Sequence, residues 1–147
     1  MIPPFDPATG NLPPGVHEAP WDEFVARYGW TAHRLVLLAG LKAALDALHA
    51  AGCRRAYVDG SFVTAKDQPG DFDGCWEVDH VDLARLDPVL LTFANRRVAQ
   101  KRRYGGELFP ADWAADASGT NFLSFFQRDK DTGRPKGIIA MDLERLP

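Results

Sequence analysis

The apolar residues of this chain recur with two different periods, and each period marks an element. Leu35, Leu38, Leu41, Leu45 and Leu48 follow at steps of three and four, which lines them along one side of a helix. Thr31 suits the N-cap and Ala51-Gly52 the C-terminal stop, so a long helix is expected from about 31 to 51. A shorter helix is expected before it. Pro20 and the acidic pair Asp22-Glu23 mark its start, Phe24 and Tyr28 form a buried stripe one turn apart, and Gly29 ends it. Apolar runs bounded by turn residues predict strands at 56–59, 72–78 and 137–144. Between them, 61–65 reads as a helical turn, 66–70 as a loop, and Asp87-Pro88 as the entry to another helical turn. Residues 95–104 are expected to be helical, anchored by Val98 and Tyr104. The late stretch 121–128, with Phe122, Leu123, Phe125 and Phe126, reads as core, with a base-stacking platform as the alternative.

Residues 1–20 break this pattern. Five prolines and two glycines within the first 16 positions preclude a helix or a ladder there, so an extended Pro-rich arm is expected, packed either on the body or on a second copy. The remainder, 21–147, is expected to be one domain. Helices alternating with short strands predict an α/β (α+β) fold, with a small mixed twisted sheet carrying the acidic site on one edge and helices packed on the opposite face. A hydrophobic content of 46% suits a soluble globular chain and leaves no run long enough to span a membrane. The start of the chain lacks the basic and apolar segments of a secretory signal, so a cytoplasmic location is expected. Cys53 and Cys75 lack metal-site spacing and read as reduced, buried residues. A net charge of -3 gives no general attraction to nucleic acid, and DNA is not expected as a partner. Five cations between positions 96 and 103 form the one local basic patch, either a solvated face or a set of phosphate contacts.

The candidate chemistry lies between Ala56 and Trp76. Alternation on a strand puts Asp71 and Asp73 on one face and turns Phe72 to the other. Two carboxylates side by side repel each other unless a cation lies between them, and oxygen donors of this kind suit Mg²⁺ held jointly with substrate phosphates. Upstream, Gly60 lets the backbone approach a ligand closely, and Ser61 offers a hydroxyl and an N–H at the start of a helical turn. Asp-x-Asp also occurs in surface turns; the Gly-Ser turn about ten residues before it separates this case from those. Asp59 is read as a turn former that can also touch substrate, Lys66 as solvent-facing, and Asp79 and Asp82 as too far past the strand to join the pair.

These residues resemble the signature of the polymerase-beta-like nucleotidyltransferase superfamily, especially its minimal bacterial members. The phrases at 17–21, 59–64, 70–76 and 106–111 resemble a group of small bacterial proteins assigned to that superfamily. The resemblance implies a third carboxylate on a strand beside the Asp-x-Asp strand, for which Glu107 is the choice and Asp142 the runner-up. It further implies two Mg²⁺ ions, with Mn²⁺ as a substitute, held by Asp71, Asp73 and Glu107, and an NTP gripped by Gly60, Ser61, Arg97 and Lys101. The implied reaction moves an NMP to a hydroxyl of an RNA (tRNA) or protein acceptor, in a toxin-antitoxin or phage-defence setting with a cognate toxin or antitoxin as partner. The rival expectation is the same fold as an inactive module that binds a partner.

Overall fold

In the computed structural model, which describes residues 1–147, the two helical stripes fold as α1 (Trp21–Tyr28) and α2 (Ala32–Ala50). Thr31 accepts the Arg34 N–H at 3.0 Å and caps α2 as its sequence position implies. The sheet contains β1 (Gly15–Glu18), β2 (Arg55–Asp59), β3 (Phe72–Trp76), β4 (Gly106–Pro110) and β5 (Gly137–Asp142), in the order β1-β5-β2-β3-β4. The pairs β2–β3 and β2–β5 are antiparallel, while β1–β5 and β3–β4 are parallel. This mixed sheet with its helices is the α+β architecture expected.

Alternation along the strands divides the interior in two. Ala56, Val58, Phe72, Trp76, Leu108, Ile139 and Met141 face the large core, where they meet Phe24, Tyr28, Leu41, Leu45 and Leu48. Truncating one such leucine costs about 2–5 kcal/mol. The opposite face buries only a smaller cluster, in which Tyr57, Cys75, Ile138 and Ala140 pack under Ala111 and Phe126. Helix α3 (Ala94–Tyr104) flanks the β4 edge, and the short α4 (Phe122–Phe125) lies on the smaller cluster. Gln100 of α3 accepts the Leu108 N–H of β4 at 2.9 Å, satisfying a donor that an edge strand would leave open.

Four expectations need correction. Residues 1–20 are not an arm outside the domain, because 15–18 add the edge strand β1 and Ile2, Leu12 and Ala19 are buried in the main core. The prolines confine this segment to extended backbone, which is also what a short edge strand needs. Leu35 is 49% exposed, and the stripe begins instead with Arg34 and Leu37. At about 100° per residue, Leu35 is turned well away from the line through Leu38, Leu41 and Leu45. Strands β3 and β5 stop at Trp76 and Asp142, each two residues before the expected end. In α3, Asn95, Arg96 and Arg97 have φ of 52°, 56° and 59°, so a left-handed turn precedes the regular helix. Such a turn costs side-chain-bearing residues roughly 1–2 kcal/mol each.

Candidate functional site

The smaller face of the sheet carries a row of acids across three neighbouring strands. Asp59 is the register partner of Asp73, and Asp73 is the register partner of Glu107. Each lies two residues from a side chain on this same face, namely Tyr57, Cys75 and Phe109. Asp71 stands just before β3, two positions from Asp73. The carboxylate oxygens of Asp71, Asp73 and Glu107 come within 4.8 Å of one another. Glu107 therefore joins the pair. Asp142 does not: it lies opposite Arg55 at the far end of β2, caps the last turn and pairs with Arg145.

Gly60 is what allows the acids to approach the Gly-Ser turn. Its φ is +82°, and a Cβ placed there would lie 2.5 Å from Asp73 Oδ2. Only glycine fits between this turn and the carboxylate. Ser61 begins the short 3₁₀ turn that follows, and Gly60, Ser61, Thr64 and Lys66 all border the cleft above the acids. Lys66 is exposed, as expected, but at the rim of this cleft.

The counter-charges are unevenly distributed. Arg97 Nε is 2.6 Å from Glu107 Oε2, while Lys101 Nζ lies 3.8 Å from Glu107 and 4.0 Å from Asp71. Lys136 Nζ is 3.1 Å from the buried Asp59. Asp73, in the middle of the row, has no cation within 4.0 Å. Burial, then the charges of Asp71 and Glu107, push its carboxyl up to about 8. Burial and Glu107 raise Asp71 against the pull of Lys101, and burial raises Asp59 against that of Lys136. The two basic residues expected at a triphosphate, Arg97 and Lys101, thus stand against the carboxylates themselves.

The cleft measures about 630 Å³ and has three sides. Its floor is the acidic row, with Gly60-Ser61 on one flank. A second side is the 128–131 turn, where Asp129 Oδ1 accepts the N–H groups of Asp131 and Thr132, and Arg128, Asp129, Lys130 and Asp131 all border the cleft. The third is aromatic, made by Phe109, Phe122, Phe125 and Phe126. Phe126 is buried as a core residue should be, but Phe125 is 40% exposed. Sequence reasoning read Asp59 as a turn former that can also touch substrate, did not place it among the acids, and left Lys136 out. Asp59 shares the parity of Tyr57 on β2, which was the available sign that it faces the acids; the place of Lys136 beside it follows from β2–β5 pairing alone.

An all-oxygen donor set of three carboxylates, one of which lacks a counter-charge, fits a hard divalent cation such as Mg²⁺ or Mn²⁺. No helix is long and apolar enough to cross a membrane. Residues 3–142 match the family of unknown function DUF6932, and the chain belongs to that family. No curated protein and no solved structure matches it.

Proposed function

We propose that the protein is a Mg²⁺-dependent nucleotidyltransferase that moves an NMP from an NTP to a hydroxyl of an RNA or protein acceptor. The observation that carries this reading is the convergence of Asp71, Asp73 and Glu107 within 4.8 Å beside Gly60-Ser61, with Asp73 lacking a counter-charge. The resemblance of 59–64 and 70–76 to the polymerase-beta-like signature supports it.

Asp71, Asp73 and Glu107 would hold the metal, which when bound neutralises phosphate charge and lowers the pKa of a coordinated hydroxyl. The chain's own groups supply the rest. Ser61 donates its hydroxyl and N–H to phosphate oxygens, and Gly60 gives them room. Lys66, Arg128 and Lys130 at the rim offset the charge of the triphosphate. In the transfer, the acceptor oxygen bonds to the α-phosphorus as the bond from that phosphorus to the bridging oxygen breaks. Pyrophosphate leaves, and the hydroxyl proton passes to Glu107. Arg97 orients Glu107 through their 2.6 Å contact.

Incubation of the protein with Mg²⁺, each α-labelled NTP in turn, and the RNA and proteins of a bacterial lysate tests this reading. Label on a defined acceptor, absent with the Asp71→Asn/Asp73→Asn variant, is the expected result. No label, and no rise in melting temperature with NTP, overturns it in favour of an inactive binding module.

A further inference from the structure

The aromatic side of the cleft has no part in the ion and phosphate chemistry, yet it is ordered as a stack. Phe109 and Phe122 lie 4.1 Å apart with 6° between their planes, and Phe93 continues the column on Phe109 at 5.6 Å and 11°. Phe125 stands edge-on to Phe122 at 6.3 Å and 76°, and is 40% exposed. The wall begins next to the carboxylates. Phe109 is two residues from Glu107 on β4, and the Arg97 guanidinium that pairs with Glu107 lies 5.8 Å from the Phe109 ring centre.

We infer that Phe122 and Phe125 form the platform on which the base of the bound nucleotide stacks. This rests on the nucleotide reading above and adds to it where the base lies and how it is recognised. The occupant follows from charge complementarity within one cleft: a divalent cation at the acidic floor, with Lys66, Arg128 and Lys130 on a rim that also carries Asp129 and Asp131, takes a polyphosphate, and the adjoining wall takes a flat, apolar end on the same molecule. A nucleotide unites the two; a peptide or lipid chain does not supply a flat ring beside a polyphosphate. Asn11 is the one side-chain amide among the residues that line the cleft. The Asn11 amide donates to Asp129 at 3.1 Å, and the Gln127 amide donates to the Leu123 carbonyl at 3.0 Å. Recognition therefore rests on stacking, which every base can provide and purines provide over more area. The platform accepts all four nucleotides and favours purines.

Calorimetric titration with the α,β-methylene analogue of ATP and with inorganic tripolyphosphate, both with Mg²⁺, tests this on the intact protein, Phe125→Ala and Phe125→Trp. Phe125 is the better target because it is exposed, whereas Phe122 also packs in the smaller cluster. The intact protein is expected to bind the analogue more tightly than tripolyphosphate. Phe125→Ala is expected to weaken the analogue about tenfold or more and leave tripolyphosphate unchanged, and Phe125→Trp to retain or improve the analogue. Equal binding of the analogue by Phe125→Ala and the intact protein, or equal loss for both ligands, overturns the platform. So does an intact protein that binds both ligands equally, which leaves the phosphate site standing. A protein that binds neither ligand removes the nucleotide reading together with the platform. A discrimination above about a hundredfold among the four corresponding analogues contradicts recognition by stacking alone.

Discussion

Two parts of this molecule bury charge, and they do so in opposite ways. Arg34, fully buried at the start of α2, donates to the carbonyls of Tyr28, Phe62, Thr64 and Lys66 and lies 3.7 Å from the centre of the Trp30 ring. Burial pulls its guanidinium down to about 10, which still leaves it cationic at neutral pH. Its partners are backbone dipoles already in place, so the charge is solvated by the fold. Across the sheet, Asp73 is surrounded by other acids and has no cation beside it. The first arrangement is complete and serves structure. The second leaves a carboxylate that folding alone does not satisfy, and on the proposed reading a bound cation would satisfy it.

The two parts are connected. Three of the carbonyls that Arg34 holds belong to the segment that follows Gly60-Ser61 and forms one flank of the cleft. Removing Arg34 breaks the complete arrangement and leaves those carbonyls unpaired. Arg34→Met is therefore expected to lose about 3–5 kcal/mol in urea denaturation, and Arg34→Lys to recover little, because an ammonium lacks the planar fork. Next in size is Gly60→Ala. The added Cβ meets Asp73 Oδ2 at 2.5 Å on backbone with φ of +82°, so a loss of about 1–3 kcal/mol is expected. Loss of the Mg²⁺- and NTP-induced rise in melting temperature should accompany it.

Asp73→Asn sharpens the comparison because it should act with the opposite sign. The native carboxyl is raised from 3.8 to about 8. Its contribution to stability is therefore full below the unfolded value and is lost as pH rises through the window between those values. Without metal, the variant is expected to match the native protein near pH 4 and to exceed it by about 1 kcal/mol or more at pH 8, measured by urea titrations at both pH values. On the proposed reading, millimolar Mg²⁺ or Mn²⁺ is expected to stabilise the native protein and not the variant. A variant less stable than the native protein at pH 8 would show that the acidic row is not under strain. The smallest effect belongs to Asp142→Asn. That side chain is exposed and ends β5 opposite Arg55, at the end of β2 away from the cluster, so a change within about 0.5 kcal/mol and no effect on any Mg²⁺ shift are expected.

Much of this design is local and could be read from the chain. The Thr31 cap, the Gly29 and Gly52 stops, the buried Phe24–Tyr28 pair and the strand that starts between Asp71 and Asp73 each depend on residues a few positions apart. The choice of Glu107 over Asp142 came from a resemblance, and the geometry agrees with it because β4 pairs with β3 in a register that sets Glu107 opposite Asp73. Other features have no local signal. Nothing near Arg34 announces that carbonyls about 30 residues later will enclose it, and a leucine beside it made the wrong stripe attractive. The Pro-rich start looked like an arm because a single parallel edge strand is defined by its partner, β5, more than 100 positions away. Phenylalanine composition alone cannot separate a core from a wall, since the same rings serve either purpose until exposure is known.

The sequence by itself determined α1, α2, the strands β2, β3 and β5 and which residue types could do chemistry, because caps, periodicity and turn residues act over distances of one or two turns. Tertiary structure alone decided which charges meet. Strand order and register placed Asp59, Asp73 and Glu107 in one row, left Asp73 without a counter-charge, and brought Lys136 and the phenylalanine wall to the same cleft. The reason is physical: the energy of a charge depends on neighbours within a few ångströms, and in a sheet those neighbours come from distant parts of the chain.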